Sequence, residues 1–162
     1  MLLGKVLAEA AMKEGKFVTW LPAYGAEVRG GTAYCMVVIS DAEIGSPYIA
    51  KADTLLAMNQ PSLDKFKGRL AAKGILIVNS SLAKTGAKGS ASVLKGAFSE
   101  LAAGLGNIKV ANMAALGCYI AAKKIVKLAT AIKVIEEIAP DNKKELIEIN
   151  KQPCINIKLL KR

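Results

Sequence analysis

The residues best suited to chemistry lie between two apolar segments, within the stretch Thr19–Cys35. Glu27 and Arg29 stand there close before the double glycine Gly30 and Gly31. An arginine guanidinium presents a fixed fork of donors that matches a carboxylate or a phosphate. Glycine lacks a Cβ, so a ligand or a partner chain can come close to the backbone. The spacing favours a loop that faces an anionic ligand or a partner; the alternative is a turn held by a structural Glu–Arg ion pair.

Polar residues also follow two apolar segments farther along the chain. Asn59 and Gln60 come directly after Leu55–Met58, and Asn79–Ser81 follow Ile75–Val78. Ligands of open α/β sheets bind beyond the carboxyl ends of the strands, so these residues are candidates for a binding edge. The alternative is local, because an asparagine in this position can cap the turn into the next helix.

Alternating helical and strand-like segments are expected to position these residues. The predicted order is a helix from Leu3 that ends at Gly15, strands at 17–21, 33–39, 55–58, 75–78 and 93–97, and helices at 62–72, 98–105, 109–124, 127–139 and 142–151. Short unbroken apolar runs are typical of strands that are covered on both faces. The fold class is therefore α/β: a three-layer α/β/α sandwich with a mostly parallel sheet and a helical C-terminal part, formed by residues 1–162 as a single domain.

The composition narrows the possible partners. The net charge is +10, from 23 basic and 13 acidic residues; this is typical of a solvated basic surface, and the alternative is a chain that meets an acidic partner or an anionic ligand. Aromatic residues make up only 5%, which argues against a stacking platform for single-stranded nucleic acid. The hydrophobic fraction of 52% fits buried strands or a surface that meets partner chains.

The cysteines and the lack of histidine exclude several kinds of site. Cys35, Cys118 and Cys154 form no Cys-x-x-Cys pair, and the sequence has no histidine. The usual zinc sites, a four-cysteine iron–sulfur cluster and a histidine base are therefore not expected. An odd cysteine count indicates a reducing compartment, and the longest uncharged run, Val110–Ala122, is too short to span a bilayer, so we expect a cytoplasmic protein.

Several blocks of the sequence, most of them at predicted strand ends, point together to one enzyme family. They are Thr19–Pro22, Tyr24–Ala33, Ile44–Pro47, Met58–Phe66, Val78–Ser81 and Leu105–Met113. In these blocks the chain resembles the gamma subunit, or gamma domain, of the 2-oxoacid:ferredoxin oxidoreductases. The blocks are most similar to the 2-oxoglutarate (2-oxoglutarate synthase) branch. The branched-chain 2-oxoacid branch is close, and the pyruvate branch has a different pattern after the arginine.

The resemblance implies an accessory subunit that is not catalytic alone. The complex would oxidatively decarboxylate 2-oxoglutarate with coenzyme A, giving an acyl-CoA and reduced ferredoxin. Thiamine diphosphate, Mg and 4Fe-4S clusters are then expected in the alpha, beta and ferredoxin-like delta subunits, with no metal or cofactor on this chain and no nucleic acid or membrane as partner. The residues expected to face the active site, CoA or a subunit interface are Tyr24, Glu27, Arg29, Gly30, Gly31, Asn59 and Gln60.

The sequence departs from the family pattern at its start. Family members usually open with a strand and a Gly-Gly-Gln-Gly turn before the helix that here begins near Leu3, and neither precedes that helix in this sequence. Two other classes of function stay open: a basic α/β module that binds an acidic protein or nucleic acid, and an independent enzyme. The second would need an acid–base pair, and the sequence shows none with a clear geometry.

Overall fold

The fold begins with a helix that packs on a β-hairpin. The structure, a computed structural model, describes residues 1–25, 31–86, 91–138 and 150–154. Helix α1 (Leu2–Lys13) buries one apolar face and ends before Gly15, whose φ of 77° only glycine adopts readily. Strands β1 (Phe17–Tyr24) and β2 (Ala33–Ser40) follow and pair antiparallel over their whole length.

Three further strands form a parallel sheet in the order β3-β4-β5. They are β3 (Ala52–Ala57), β4 (Leu70–Asn79) and β5 (Ser92–Gly96). Helix α2 (Gln60–Phe66) and a short 3-10 turn connect β3 to β4. Because the three strands run parallel, their carboxyl ends meet at one edge of the sheet, which we call the carboxyl edge.

The described elements after β5 are helical. Helices α3 (Phe98–Gly104), α4 (Ala111–Lys123) and α5 (Leu128–Ile138) are described there. Helix α4 is buried among two groups of core residues: it packs with α1 and α5 on one side and with the parallel sheet and α3 on the other. Small side chains such as Ala114 and Ala115, both fully buried, let its neighbours approach closely.

The predicted α/β class, the parallel sheet and the helical C-terminal part are confirmed, with differences in detail. The described strands form a two-stranded and a three-stranded sheet. The helix predicted at 62–72 ends at Phe66, because Leu70 pairs with Ala52 and already belongs to β4. Strand β1 continues through Pro22 to Tyr24; a proline lacks the N–H of a ladder bond and is tolerated on such an edge strand.

Two further predictions from the sequence can be compared with the structure only over the described residues. Most of the helix predicted at 142–151 lies outside the described residues. Among the helices that are described, none is long and apolar enough to cross a membrane.

Candidate functional site

The ends of β1 and β2 lie side by side at the point where the hairpin loop begins. Beyond the last strand pair, Tyr24 with Ala33, the N–H of Gly25 donates to the carbonyl of Thr32 at 2.8 Å. A Cβ on Gly25 would lie 3.1 Å from the Thr32 nitrogen, so a glycine suits this close backbone approach. Tyr24 is 71% exposed and Gly31 is half-buried. The chain therefore leaves and returns at neighbouring points, and Glu27, Arg29 and Gly30, between them, lie outside the described residues.

Asn59 begins helix α2 at the carboxyl edge. Its side-chain Oδ1 accepts a hydrogen bond from the N–H of Ser62 at 3.0 Å, and a proline stands in the first turn of the helix. This is the geometry of an N-cap, in which the side chain satisfies one of the unpaired N–H groups of the helix start. The exposed Asn59 therefore stabilises the start of α2, and its role at an interface stays a prediction.

Gln60 connects α2 to the chain that follows β4. Its Oε1 accepts from the backbone N–H of Lys84 at 2.8 Å, and its Nε2 donates to Asp64 at 3.1 Å. The pKa of Asp64 lies below its usual range because Lys67 and then Gln60 donate hydrogen bonds to the carboxylate. Gln60 therefore holds two segments of the carboxyl edge together, with both ends of its amide engaged.

Asn79 ends β4 and lies fully buried beneath this edge. Its Nδ2 donates to the carbonyl of Met58 at 3.1 Å and to Oγ of Ser99 at 2.9 Å, and its Oδ1 accepts from the Ser99 N–H at 3.3 Å. One side chain thus joins the ends of β3 and β4 to the start of α3. The sequence marked Asn79 as part of a polar edge, but its burial depends on Ser99, twenty residues away.

Helix α2 and the hairpin end lie side by side. Nζ of Lys65 donates to Oγ1 of Thr32 at 3.1 Å, and the rings of Tyr34 and Phe66 have centroids 4.7 Å apart. Nζ of Lys65 also lies 5.7 Å from the centroid of the Phe66 ring. We call the surface formed by Tyr24, Gly31, Thr32, Asn59, Gln60 and Lys65 the hairpin–helix face. The bond between Lys65 and Thr32 connects the end of the hairpin, with Tyr24 and Gly31, to the helix that begins at Asn59 and Gln60.

Comparison with known proteins identifies the family. The family described as pyruvate ferredoxin/flavodoxin oxidoreductase matches residues 1–154. The chain belongs to this family. A solved relative, the gamma subunit of keto/oxoacid ferredoxin oxidoreductase from Geobacter sulfurreducens, superposes with a TM-score of 0.81 at 30% identity, over 95% of this chain and 86% of that one.

Two relatives are named for different substrates. The ketoisovalerate oxidoreductase subunit VorA of Methanothermobacter marburgensis is 41% identical over 119 residues, which are 74% of this chain and 25% of that protein. The 2-oxoglutarate synthase subunit KorC of Methanocaldococcus jannaschii is 31% identical over 151 residues, which are 90% of this chain and 80% of that protein. The chain spans about a quarter of the length of the VorA relatives that it matches. The resemblance to the gamma subunits is confirmed. The names of these relatives do not decide between 2-oxoglutarate and ketoisovalerate as the substrate.

The described residues of this family member do not fit an iron–sulfur cluster or another metal centre. They contain no group of three or more histidine, cysteine, aspartate or glutamate side chains that could hold a metal ion. Burial raises the pKa of Cys118 to about 11 and that of Cys154 to about 12, so both thiols stay protonated near neutral pH. The Cys154 thiol donates to the carbonyl of Met113 at 3.0 Å, which is a packing role.

Proposed function

We propose that this chain is the accessory gamma subunit of a 2-oxoglutarate:ferredoxin oxidoreductase. In the proposed reaction 2-oxoglutarate loses its carboxylate as CO2, the remaining acyl group forms a thioester with CoA, and the two electrons released reduce ferredoxin. Thiamine diphosphate supplies the carbanion stabilisation for such a reaction, and we assign it to the alpha and beta subunits. Electron transfer through 4Fe-4S clusters is assigned to the delta subunit.

The observation that supports this role is the hairpin–helix face. Two sequence blocks typical of gamma subunits meet there, because Lys65 of α2 donates to Thr32 at the base of the hairpin loop. The loop carries Arg29, which we propose faces the catalytic partner or the phosphates of CoA, with the backbone of Gly30 and Gly31 close to the same group. Tyr24, at the end of β1, is exposed, and we propose that it extends the face toward a partner.

The remaining members of the face are proposed to fix its shape. Asn59 caps α2 and Gln60 joins that helix to Lys84, so the helix start is held while the exposed surface meets the partner. A rigid support of this kind lowers the entropy cost of ordering an interface. We therefore assign Asn59 and Gln60 positioning roles, and no catalytic role is assigned to this chain. The three cysteines are free thiols, which supports a reducing, cytoplasmic location.

The test is assembly and activity of the complex. We would purify the tagged chain anaerobically at low salt from its native cell, identify the bound proteins by mass, and measure dye reduction that depends on 2-oxoglutarate and CoA. We expect thiamine-binding and ferredoxin-like subunits to co-purify with that activity. Recovery of a stable monomer without partners would contradict the proposal and would favour a stand-alone binding module.

Arg29 is tested within the recovered complex. We expect Arg29→Ala to raise the KM for CoA or to weaken subunit assembly, by about tenfold or more if the anion it meets is desolvated. The matched control is Lys133→Ala, which removes one exposed positive charge from α5. If Arg29→Ala left both assembly and the KM for CoA at the values of the control, the proposed role of this residue would be wrong.

A branched-chain 2-oxoacid is the second candidate substrate. It is favoured by the 41% identity to VorA, whereas the KorC match extends over more of both chains. Comparing kcat/KM for 2-oxoglutarate and for ketoisovalerate in the purified complex separates the two. We expect 2-oxoglutarate to be preferred, and the opposite preference would transfer the chain to the branched-chain type without changing its role as a subunit.

A further inference from the structure

Strand β1 is an edge strand, and its pairing shows which of its backbone groups face outward. Among the described residues it pairs with β2 alone, in one continuous antiparallel register. One position beyond that register, the N–H of Gly25 bonds to the carbonyl of Thr32. Because bonded and non-bonded pairs alternate along an antiparallel ladder, the odd-numbered residues of β1 bond to β2. The residues whose backbone groups face outward are Val18, Trp20, Pro22 and Tyr24.

The first part of this edge offers two complete sets of backbone groups to another strand. Pro22 has no N–H, and its outward position explains why a proline is tolerated within β1. On the other side, the N–H of Lys16 already donates to the carbonyl of Ala11 at 3.0 Å. Between them, Val18 and Trp20 each present an N–H and a carbonyl, one on each side of Thr19.

The side chains of β1 are typical of a contact surface. Phe17 is 46% exposed, Trp20 38% and Tyr24 71%, although aromatic residues make up only 5% of the sequence. Aromatic residues are enriched where proteins meet. Natural edge strands are often protected by charged side chains, and β1 has none.

The order of these groups along β1 is self-complementary. When two copies of β1 lie antiparallel about a two-fold axis at Thr19, Val18 of each copy is opposite Trp20 of the other. Each such pair exchanges two backbone hydrogen bonds. A two-fold interface requires this reciprocity, in which residue i meets j and j meets i.

Charge also favours this strand as a contact between copies. The net charge is +10, so two copies of the chain repel each other in general. Strand β1 carries no charge, and Lys16 just before it is paired with Asp41. Two copies can therefore approach along β1 with little repulsion at the contact itself.

The hydroxyl of Thr19 gains a partner in this arrangement. Its Oγ1 is buried and has no hydrogen-bond partner within the described ranges. In the two-fold pairing Thr19 faces Thr19 of the second copy in a non-hydrogen-bonded pair, where side chains are closest. Rotation about χ1 brings the two hydroxyls together, so that one donates and the other accepts, as in cross-strand threonine pairs.

We propose that two copies of this chain associate through their β1 edges, as a two-fold dimer centred on Thr19. Phe17 of each copy then packs beside Leu21 of the other, on the same face as Thr19. A contact between two short strands is smaller than a standard interface of about 800 Å² per partner, so we expect a Kd of about 10 µM or weaker. The inference uses no feature of the proposed reaction and does not depend on it.

The first experiment measures self-association of the full chain. Sedimentation equilibrium from about 1 µM to about 300 µM gives the mean mass, which we expect to rise from one copy toward two. Phe17→Lys places like charges at the contact and should weaken association at least about tenfold. Tyr48→Lys is the matched control, since it replaces an exposed aromatic residue outside β1 and adds the same charge. A constant mass of one copy, or equal responses of the two variants, would overturn the proposal.

Amide hydrogen exchange, resolved by residue with NMR, tests the strand pairing. The exchange of Val18 and Trp20 should slow as the concentration rises, because these N–H groups gain partners in the dimer. The amides of Thr19 and Leu21 already bond to β2 and should change less. Tyr24, whose N–H faces outward beyond the contact, is the internal control. Uniform slowing along β1, or no change at Val18 and Trp20, would contradict the pairing.

A disulfide reports the register of the two strands. Opposite residues of a non-hydrogen-bonded pair have Cα atoms about 4.5 Å apart, which suits a disulfide, so we expect Thr19→Cys to form a cross-linked dimer under mild oxidation. Phe17→Cys is the control, because Phe17 of one copy lies opposite Leu21 of the other and the two Phe17 positions are about 13 Å apart or more. The unsubstituted chain gives the background from its own three thiols. Cross-linking of Thr19→Cys no faster than that of Phe17→Cys would overturn the two-fold register.

The same measurements on the purified complex separate this inference from the proposed function. If the free chain stays a single copy and Val18 and Trp20 are protected only when other subunits are bound, the edge meets another subunit and the dimer is overturned. If the free chain dimerises as described and no other subunit is recovered, the proposed function fails and the β1 contact is supported.

Discussion

The carboxyl edge of the parallel sheet and the hairpin side of the molecule differ in how far their side chains are bonded within the chain. At the carboxyl edge, Asn79 and Gln60 use their amides to tie neighbouring segments together. On the hairpin side, Tyr24 is largely exposed, and among the described residues β2 pairs with β1 alone. Satisfied polar groups make a fixed support, whereas open edges and exposed rings make surfaces for partners. The contacts of the carboxyl edge therefore contribute to stability, and a role of the hairpin side in assembly is part of the proposed function.

The largest expected effect on stability comes from removing the buried amide of Asn79. Asn79→Ala removes three hydrogen bonds and leaves the half-buried carbonyl of Met58 and two groups of the buried Ser99 without their partner. We expect the free energy of unfolding to fall by about 3 kcal/mol, because each unsatisfied buried group costs about 1–3 kcal/mol. Urea unfolding measures the change. A loss below that of Asn59→Ala would show that the carboxyl edge does not depend on its buried amide.

A second prediction tests how tightly α1 sits on the hairpin. A Cβ on Gly4 would lie 2.4 Å from Sγ of Cys35 and 3.3 Å from Cγ2 of Val37. We expect Gly4→Ala to destabilise the chain by about 2 kcal/mol, since overpacking of a close contact costs about 1–3 kcal/mol.

The partner substitution provides the control for that prediction. In the double variant Gly4→Ala with Cys35→Ala, the main clash is removed, so part of the stability should return in thermal unfolding. Additive losses in the two single variants would contradict the direct contact between this glycine and this thiol.

A smaller effect is expected at the start of α2. Asn59→Ala removes the cap on the Ser62 N–H, and we expect a loss of about 1 kcal/mol. Asn59→Asp keeps an oxygen acceptor and should retain most of the stability in the same unfolding experiment. If alanine and aspartate behaved alike, the cap would contribute nothing measurable and Asn59 would be free for an interface role alone.

The smallest effect concerns pH and the junction of α1 with α5. The pKa of Glu14 is lowered, chiefly by a hydrogen bond from Thr130 and also by the Lys127 N–H, which donates at 2.8 Å. A carboxyl with a depressed folded pKa contributes stability above its unfolded pKa and loses it as the pH falls through the folded value. Glu14→Gln should therefore flatten the loss of stability below about pH 4.5, measured as unfolding midpoints against pH. An unchanged slope would contradict the linkage.

Local pattern was sufficient for some elements and not for others. The unbroken apolar runs predicted β2, β3 and β4, because such runs are typical of strands that are covered on both faces. The end of α2 was missed, since only the pairing of Ala52 with Leu70 decides where β4 begins. Contacts between distant residues, such as Lys65 with Thr32, leave no local signal.

In the candidate site, too, a contact between near neighbours in the sequence could be predicted and a contact between distant residues could not. A capping role for Asn59 could be anticipated from the residues that follow it, because an N-cap is a contact within one turn. The engagement of Gln60 with Lys84 spans twenty-four residues and could not. The members of the loop that the sequence favours most for chemistry, Glu27 and Arg29, lie outside the described residues and stay predictions.

The small buried residues of α4 also bear on which sequence changes the chain can accept over time. Ala114 and Ala115 are fully buried in a helix that has neighbours on both sides. A larger side chain at either position would have to displace those neighbours, because protein interiors are close-packed and overpacking is destabilising. Substitutions are therefore expected to collect on the exposed surface of the molecule, while α4 keeps its small residues.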